Sequence, residues 1–245
     1  MTTFLAELRR TIVPEKHGKQ GPLPQLLLAM TLVTGLVDAF SYLVLGHVFV
    51  ANMTGNVVLL GFALAGAPGF SIAASAAAIA SFGAGALVGG RIATRLSHHR
   101  GRLLSTAAGT QTAFFAASVV LAALSGSPVT AAYRYPLIVL LALSMGIQNA
   151  AARKLAIPDL TTTVLTMTIT GIAADSVIAG GKGSRAARRL IAVAAMLVGA
   201  LAGAALVIHA QVFYPLLIAL IVTATVAATA AILGKPGPAW VHPES

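Results

Sequence analysis

Not one cysteine occurs in this chain, which removes disulfide frameworks, thiolate nucleophiles and Cys-ligated metals from consideration. Acidic residues are nearly as scarce, with six Asp and Glu among 245 residues. Hydrolysis by paired carboxylates therefore has little to draw on. The motifs H-E-x-x-H, G-x-S-x-G, Walker A and C-x-x-C are missing too. Gly83 and Gly85 could open a dinucleotide fingerprint, but Val88 stands where its third Gly or Ala belongs, so they read as packing glycines. No enzyme, no resident cofactor and no metal are expected. Charged residues make up 9% of the chain, against roughly 25% in a soluble domain. Alternating ten-residue strands are lacking, which excludes a β-barrel.

What the chain has in place of these is apolar length. Hydrophobic residues reach 58%, and the mean hydropathy is +0.90. Six stretches, residues 23–45, 71–90, 103–124, 136–152, 190–209 and 215–233, carry at most one charge each. Each is close to the ~18–20 residues that a helix needs to cross ~30 Å of hydrocarbon. The reading is all-α, a polytopic transmembrane helix bundle in a bacterial-type inner membrane, its environment the lipid bilayer. The first segment exceeds a signal-peptide core and has no A-x-A site near it, so it reads as an uncleaved first helix. Ahead of it, Phe4, Leu5, Leu8 and Ile12 share one helical face with Arg9 and Arg10 elsewhere, a pattern that suits a surface-lying helix or a disordered tail.

A formal charge of +10 invites a nucleic-acid reading. The basic residues, however, sit in short clusters between apolar segments, the positive-inside pattern of cytoplasmic loops, so no nucleic-acid partner is expected. Two further segments, 49–65 and 160–181, are apolar but crowded with Asn, Thr, Gly and Asp. If neither crosses and the N-terminus is inside, every basic residue but Arg134 falls on the cytoplasmic side. If both cross, Arg91, Arg95, Arg100, Arg102, Arg153 and Lys154 move outside. Charge therefore favours six spans plus two interrupted or re-entrant segments, with both termini cytoplasmic. Tyr42, Tyr133, Tyr135 and Tyr214 then lie near outer ends and Trp240 just past the inner end, the depth that Tyr and Trp prefer.

The halves of the chain resemble each other at an offset of about 110 to 112 residues. Gly35-Leu36-Val37-Asp38-Ala39 answers to Gly146-Ile147-Gln148-Asn149-Ala150, and Thr54-Gly55-Asn56 to Thr166-Met167-Thr168. Leu87-Val88-Gly89 recurs as Leu197-Val198-Gly199. Small-residue ladders, Ser81/Gly85/Gly89 and Ala195/Gly199/Gly203, let neighbouring backbones approach closely. The expected organisation is a cytoplasmic segment 1–22, repeat one at 23–125, repeat two at 134–235 and a cytoplasmic tail 236–245. Three spans per half is an odd number, so the second half would run inverted, an arrangement found in many transporters.

The run Leu36-Val37-Asp38-Ala39-Phe40-Ser41-Tyr42 is followed by Asn52-Met53-Thr54-Gly55-Asn56-Val57. Together they resemble the signature of the YoaK-like bacterial transmembrane proteins. Gly146-Ile147-Gln148-Asn149-Ala150 with Thr162-Thr163-Val164-Leu165-Thr166 resembles that family's second motif, except that Met167 stands where its Thr-Gly pair is expected. The likeness spans roughly residues 24 to 234 and implies a polytopic inner-membrane protein of a family without assigned function. It implies no substrate.

The candidate substrate-binding residues are Asp38, Asn52, Thr54, Asn56, Gln148, Asn149, Thr166 and Thr168. Asp38 lies inside the first span, where a carboxylate costs ~2.5–3.5 kcal/mol on insertion scales and should face protein or a wet cavity. With Thr31, Thr34, Ser41 and Tyr42 it forms a polar stripe. It reads either as a cation, proton or amine site or as an interhelical hydrogen bond to Gln148, Asn149 or Arg153. Asn52 and Asn56 share a face and Gly55 permits a break, which suits either a substrate clamp or a capped helix end. Thr162, Thr166 and Thr170 form a stripe in half two with Thr168 on another face, and Thr hydroxyls there commonly bond their own i−4 carbonyl. Pro158-Asp159-Leu160-Thr161 reads as a helix start. Asp175 is a second acid, either buried or near the surface. Two readings follow: a small secondary transporter or channel for a polar or cationic solute, and a non-transporting scaffold or partner subunit. A homo-oligomer is compatible with the 24.7 kDa size.

Overall fold

The computed structural model describes residues 7–9, 11–13, 18–126, 128–158, 160, 162, 165–176, 179–181, 186–235 and 237–242. Every regular element among them is helical. Six helices are long and apolar enough to cross a membrane: α1 (Leu23–Val44), α3 (Ile72–Arg95), α4 (Arg100–Leu124), α5 (Ala131–Leu155), α7 (Ala186–His209) and α8 (Tyr214–Gly234). Two apolar helices are shorter, α2 (Met53–Leu64) between α1 and α3, and α6 (Leu165–Ala174) between α5 and α7. At 1.5 Å per residue these span only about 18 and 15 Å, well short of ~30 Å of hydrocarbon. The apolar stretches 49–65 and 160–181 read as longer than these helices because residues 49–52, and 160 and 162 among the described residues, are non-helical. Gly46 and His47 after α1, and Ala156 and Thr162 after α5, have left-handed backbone that halts the helix before each short element. Thr162 is thus off α6, and the Thr162/Thr166/Thr170 stripe does not exist as one helical face. The helix start expected at Pro158–Thr161 is displaced to Leu165, with Asp159 and Thr161 outside the described residues.

α1 and α5 form the centre, 61% of each apolar window being buried, while α3, α4, α7 and α8 surround them at 17–33%. Glycines set the closest contacts. A Cβ on Gly85 would strike the Leu143 carbonyl, and one on Gly146 would strike the Phe82 carbonyl, so α3 and α5 touch backbone to backbone. Gly199 lies in the same way against the Leu32 carbonyl and Gly35 against Met196, joining α7 to α1. One turn further along, Gly89 meets Ile147 and Gly203 meets Leu36. Contacts that advance together along both helices mean that α3 runs parallel to α5 and α1 parallel to α7. These contacts set Gly89 in the position of Gly203, one turn away from the Leu-Val-Gly alignment of the sequence. Leu87, Val88, Leu197 and Val198 are exposed apolar residues, so the glycines and not these side chains set the register.

α4 and α8 run antiparallel: Thr112 Oγ1 donates to Thr223 Oγ1 at 3.2 Å, while Gly101 at the start of α4 lies close to Ala230 and Gly234 near the end of α8. Trp240 is not an exposed headgroup anchor as its sequence position suggests. It is 3% exposed, packed where Gly21 and Gly101 leave space. At the N-terminus, Leu8 is half-buried and Ile12 is 55% exposed; Phe4, Leu5 and Arg10 lie outside the described residues.

Candidate functional site

The chain leaves α1 through a short non-helical link before α2 begins, and Asp38 organises that link. Val50 N–H and Ala51 N–H both donate to Asp38 Oδ1, at 3.1 and 2.8 Å. A carboxylate accepting backbone N–H groups lets non-helical chain survive among apolar helices, because no water there would satisfy those donors. The hydrogen bonds go to the link, and not to Gln148, Asn149 or Arg153. Asn56 reaches back from the first turn of α2 and clamps the link from the other side: Phe49 N–H donates to Asn56 Oδ1 at 2.9 Å, and Asn56 Nδ2 donates to the Phe49 carbonyl at 2.6 Å. Asn52 caps α2, its Oδ1 accepting from Gly55 N–H at 3.1 Å. A Cβ on Gly55 would meet the Phe49 ring and the Asn52 amide, which is the close approach that this glycine serves.

Beside this link lies a cavity of about 530 Å³. Five of the eight candidate residues line it: Asp38, Asn52, Thr54, Asn149 and Thr166. Asn56 is fully buried in its backbone clamp, and Thr168 is buried on the inner side of α6, neither lining the cavity. Gln148 is part of a separate polar knot at the bundle centre. Its Oε1 accepts from Gln111 Nε2 at 2.7 Å, and its Nε2 donates to Thr34 Oγ1 at 2.8 Å, tying α1, α4 and α5 together. Asn149, one residue on, donates to the Met145 carbonyl and borders the cavity. Asp38 is the one titratable group lining the cavity among the described residues.

The apolar half of the lining was not singled out in the sequence: Met53 and Leu165 open the two short helices, and Phe82 and Met196 come from α3 and α7. A signal for the last two exists. Phe82 stands three residues before Gly85, and Met196 three before Gly199, so each is a large residue on the face whose glycine touches the neighbouring backbone.

Asp175 is half-exposed and paired with Arg189, whose Nη1 lies 2.8 Å from Asp175 Oδ2. That guanidinium covers Gly171. His99 caps α4, its Nδ1 accepting from Arg102 N–H at 3.1 Å.

Compared with known proteins, residues 26–229 match a family described as "Protein of unknown function (DUF1275)". The UPF0700 transmembrane protein YoaK of Bacillus subtilis (strain 168) is 38% identical over 157 residues, covering 61% of this chain and 65% of that relative's length. No solved structure matches.

Proposed function

The chain belongs to the DUF1275 family, and from that premise we propose that it is a small transporter or channel for a polar or cationic solute, built as an inverted repeat. It is a multi-pass membrane protein with six membrane-length helices. The observation that carries the reading is the composition of the 530 Å³ cavity. Eight of its twelve lining residues fall into pairs that answer to each other between the halves: Asp38 with Asn149, Met53 with Leu165, Thr54 with Thr166, and Phe82 with Met196. A cavity where repeats meet, fronted by interrupted helices, is where transporters of inverted design bind their cargo. Its carboxylate, amides, hydroxyls and apolar side chains suit a small solute with a polar or cationic head.

Helix directions support inversion and six crossings. With α1 parallel to α7, α3 parallel to α5 and α4 antiparallel to α8, the helix directions favour counting neither α2 nor α6 as a crossing. If both crossed, α4 and α8 would be parallel; if one crossed, α1 and α7 would be antiparallel. The scaffold reading calls for an exposed glycine ladder and no central polar cavity, whereas Gly85, Gly89, Gly199 and Gly203 are buried against their own bundle. We place the protein in a bacterial inner membrane with both termini cytoplasmic, on the distribution of its basic residues.

Because the chain has no cysteine, single thiols report without background. Thr54→Cys is expected to react with a cationic methanethiosulfonate at least ~10-fold faster than with an anionic one of equal size, since a carboxylate in a cleft focuses cations. A lipid-facing control, Leu87→Cys, stays unreactive. If Thr54→Cys resists both reagents from both sides of the membrane, the cavity is not a solute site. Topology is read with the same reagents: Ala65→Cys and Thr130→Cys label from outside, Ser97→Cys and Ala156→Cys from the cytoplasm. Labelling of Ser97→Cys from outside would overturn re-entry of α2.

A further inference from the structure

A second groove, about 830 Å³, lies between α3 and α5 on the other side of Phe82 and Asn149, which border both spaces. It runs toward the ends of α3 and α5 that carry Arg95, Arg153 and Lys154. Its floor is small and apolar: Ala86, Gly90 and Ala93 from α3, with Ala150 from α5. At the far end stand Arg153 and Lys154, both exposed. Neither makes an ion pair or a side-chain hydrogen bond among the described residues. No Asp or Glu lines the groove among those residues.

The corresponding positions in the other half lack the two cations. At the register that pairs Gly35 with Gly146, Arg153 and Lys154 correspond to Tyr42 and Leu43. These two positions are therefore basic only in the half where they lie beside Arg91, Arg95 and the other clustered cations. An apolar channel of membrane depth closing on two uncompensated cations complements an amphiphile with an anionic head, and a bilayer supplies one at that height.

We propose that this groove holds an anionic phospholipid of the basic-side leaflet, its phosphodiester on Arg153 and Lys154 and an acyl chain along Ala86, Gly90 and Ala93. Arg supplies a fork of N–H donors to two phosphate oxygens and Lys a point charge. Gly90 matters to the apolar part, because a Cβ there meets nothing within 4 Å, so its missing side chain leaves open the space an acyl chain would fill. The assignment is independent of whether the central cavity carries a solute.

The test uses the full chain purified in a neutral detergent, with thermal unfolding followed as lipid is added. Phosphatidylglycerol is expected to raise Tm by roughly 3–6 °C at saturation, and phosphatidylcholine by less than a third of that. Arg153→Gln/Lys154→Gln loses most of the rise. Arg102→Gln/Lys235→Gln, which removes the same charge from exposed positions elsewhere, keeps it. Gly90→Leu fills the floor and loses the rise with both cations intact, which keeps the test open should the double variant fold poorly. The assignment is overturned by an equal rise with phosphatidylcholine, by a rise that survives in both groove variants, or by an equal rise with inorganic phosphate alone, which would make the site one for a free anion.

Discussion

Gly146→Ala is expected to lower Tm by roughly 6–12 °C, the upper end for overpacking, although it adds a single methyl group. The added Cβ would overlap the Phe82 carbonyl and crowd Ala86 N, both backbone atoms of α3, which no side-chain rotation can move aside. Overpacking of this kind costs ~1–3 kcal/mol and more where backbone must shift, and each kcal/mol is about 2–4 °C for a chain of this length. Gly35→Ala is expected to cost as much, since its Cβ would strike Met196 of α7 in the same manner. Gly83→Ala is the control, with nothing within 4 Å of its Cβ and a helix-propensity gain of up to ~1 kcal/mol. A wild-type Tm for Gly146→Ala, measured by thermal unfolding in detergent, would mean that α3 and α5 do not meet there.

The second large effect concerns Asp38, whose two substitutions should part ways. Asp38→Ala leaves the Val50 and Ala51 N–H groups buried with no acceptor, at a cost of ~1–3 kcal/mol for each. A loss of roughly 3–5 kcal/mol in total is expected, enough to deplete folded protein from the membrane. Asp38→Asn retains a carbonyl oxygen with two lone pairs at the same position, so it should fold with a Tm within a few degrees of the parent. It removes the charge from the cavity, and the cationic preference of the Thr54→Cys reaction should fall to near unity. A Thr54→Cys preference unchanged in the Asp38→Asn background would restrict Asp38 to holding the link. Destabilisation by Asn equal to that by Ala would show that the charge itself, beyond the acceptor, sustains the fold.

Much of the site was legible because its polar residues are anomalies in apolar sequence. Asp38, Asn52, Thr54, Asn149 and Thr166 stand out where a charge or an amide is costly, and the structure brings them to one cavity. Asn56 and Gln148 stand out equally, yet they serve a backbone clamp and an interhelical bond, and Thr168 is buried away from the cavity. Sequence does not separate the two groups. A polar side chain satisfied by a carbonyl seven residues away and one facing open space look alike until the chain is folded. The apolar lining was invisible for the opposite reason, since Phe82 and Met196 are ordinary residues for a membrane helix.

Composition and the spacing of charge determined the class by themselves. A chain with this much apolar length must place it in lipid, and the free energy of burying charge confines the basic residues to the ends of six helices. The small-residue ladders likewise announced that helices would touch closely. Which helices touch was decided only in three dimensions: α1 meets α7 and α3 meets α5 across the halves because each glycine ladder needs a facing backbone that also carries a glycine, Gly35 or Gly146. That exchange of partners leaves the two interrupted segments facing one another, and the cavity between them exists through packing that no single segment encodes.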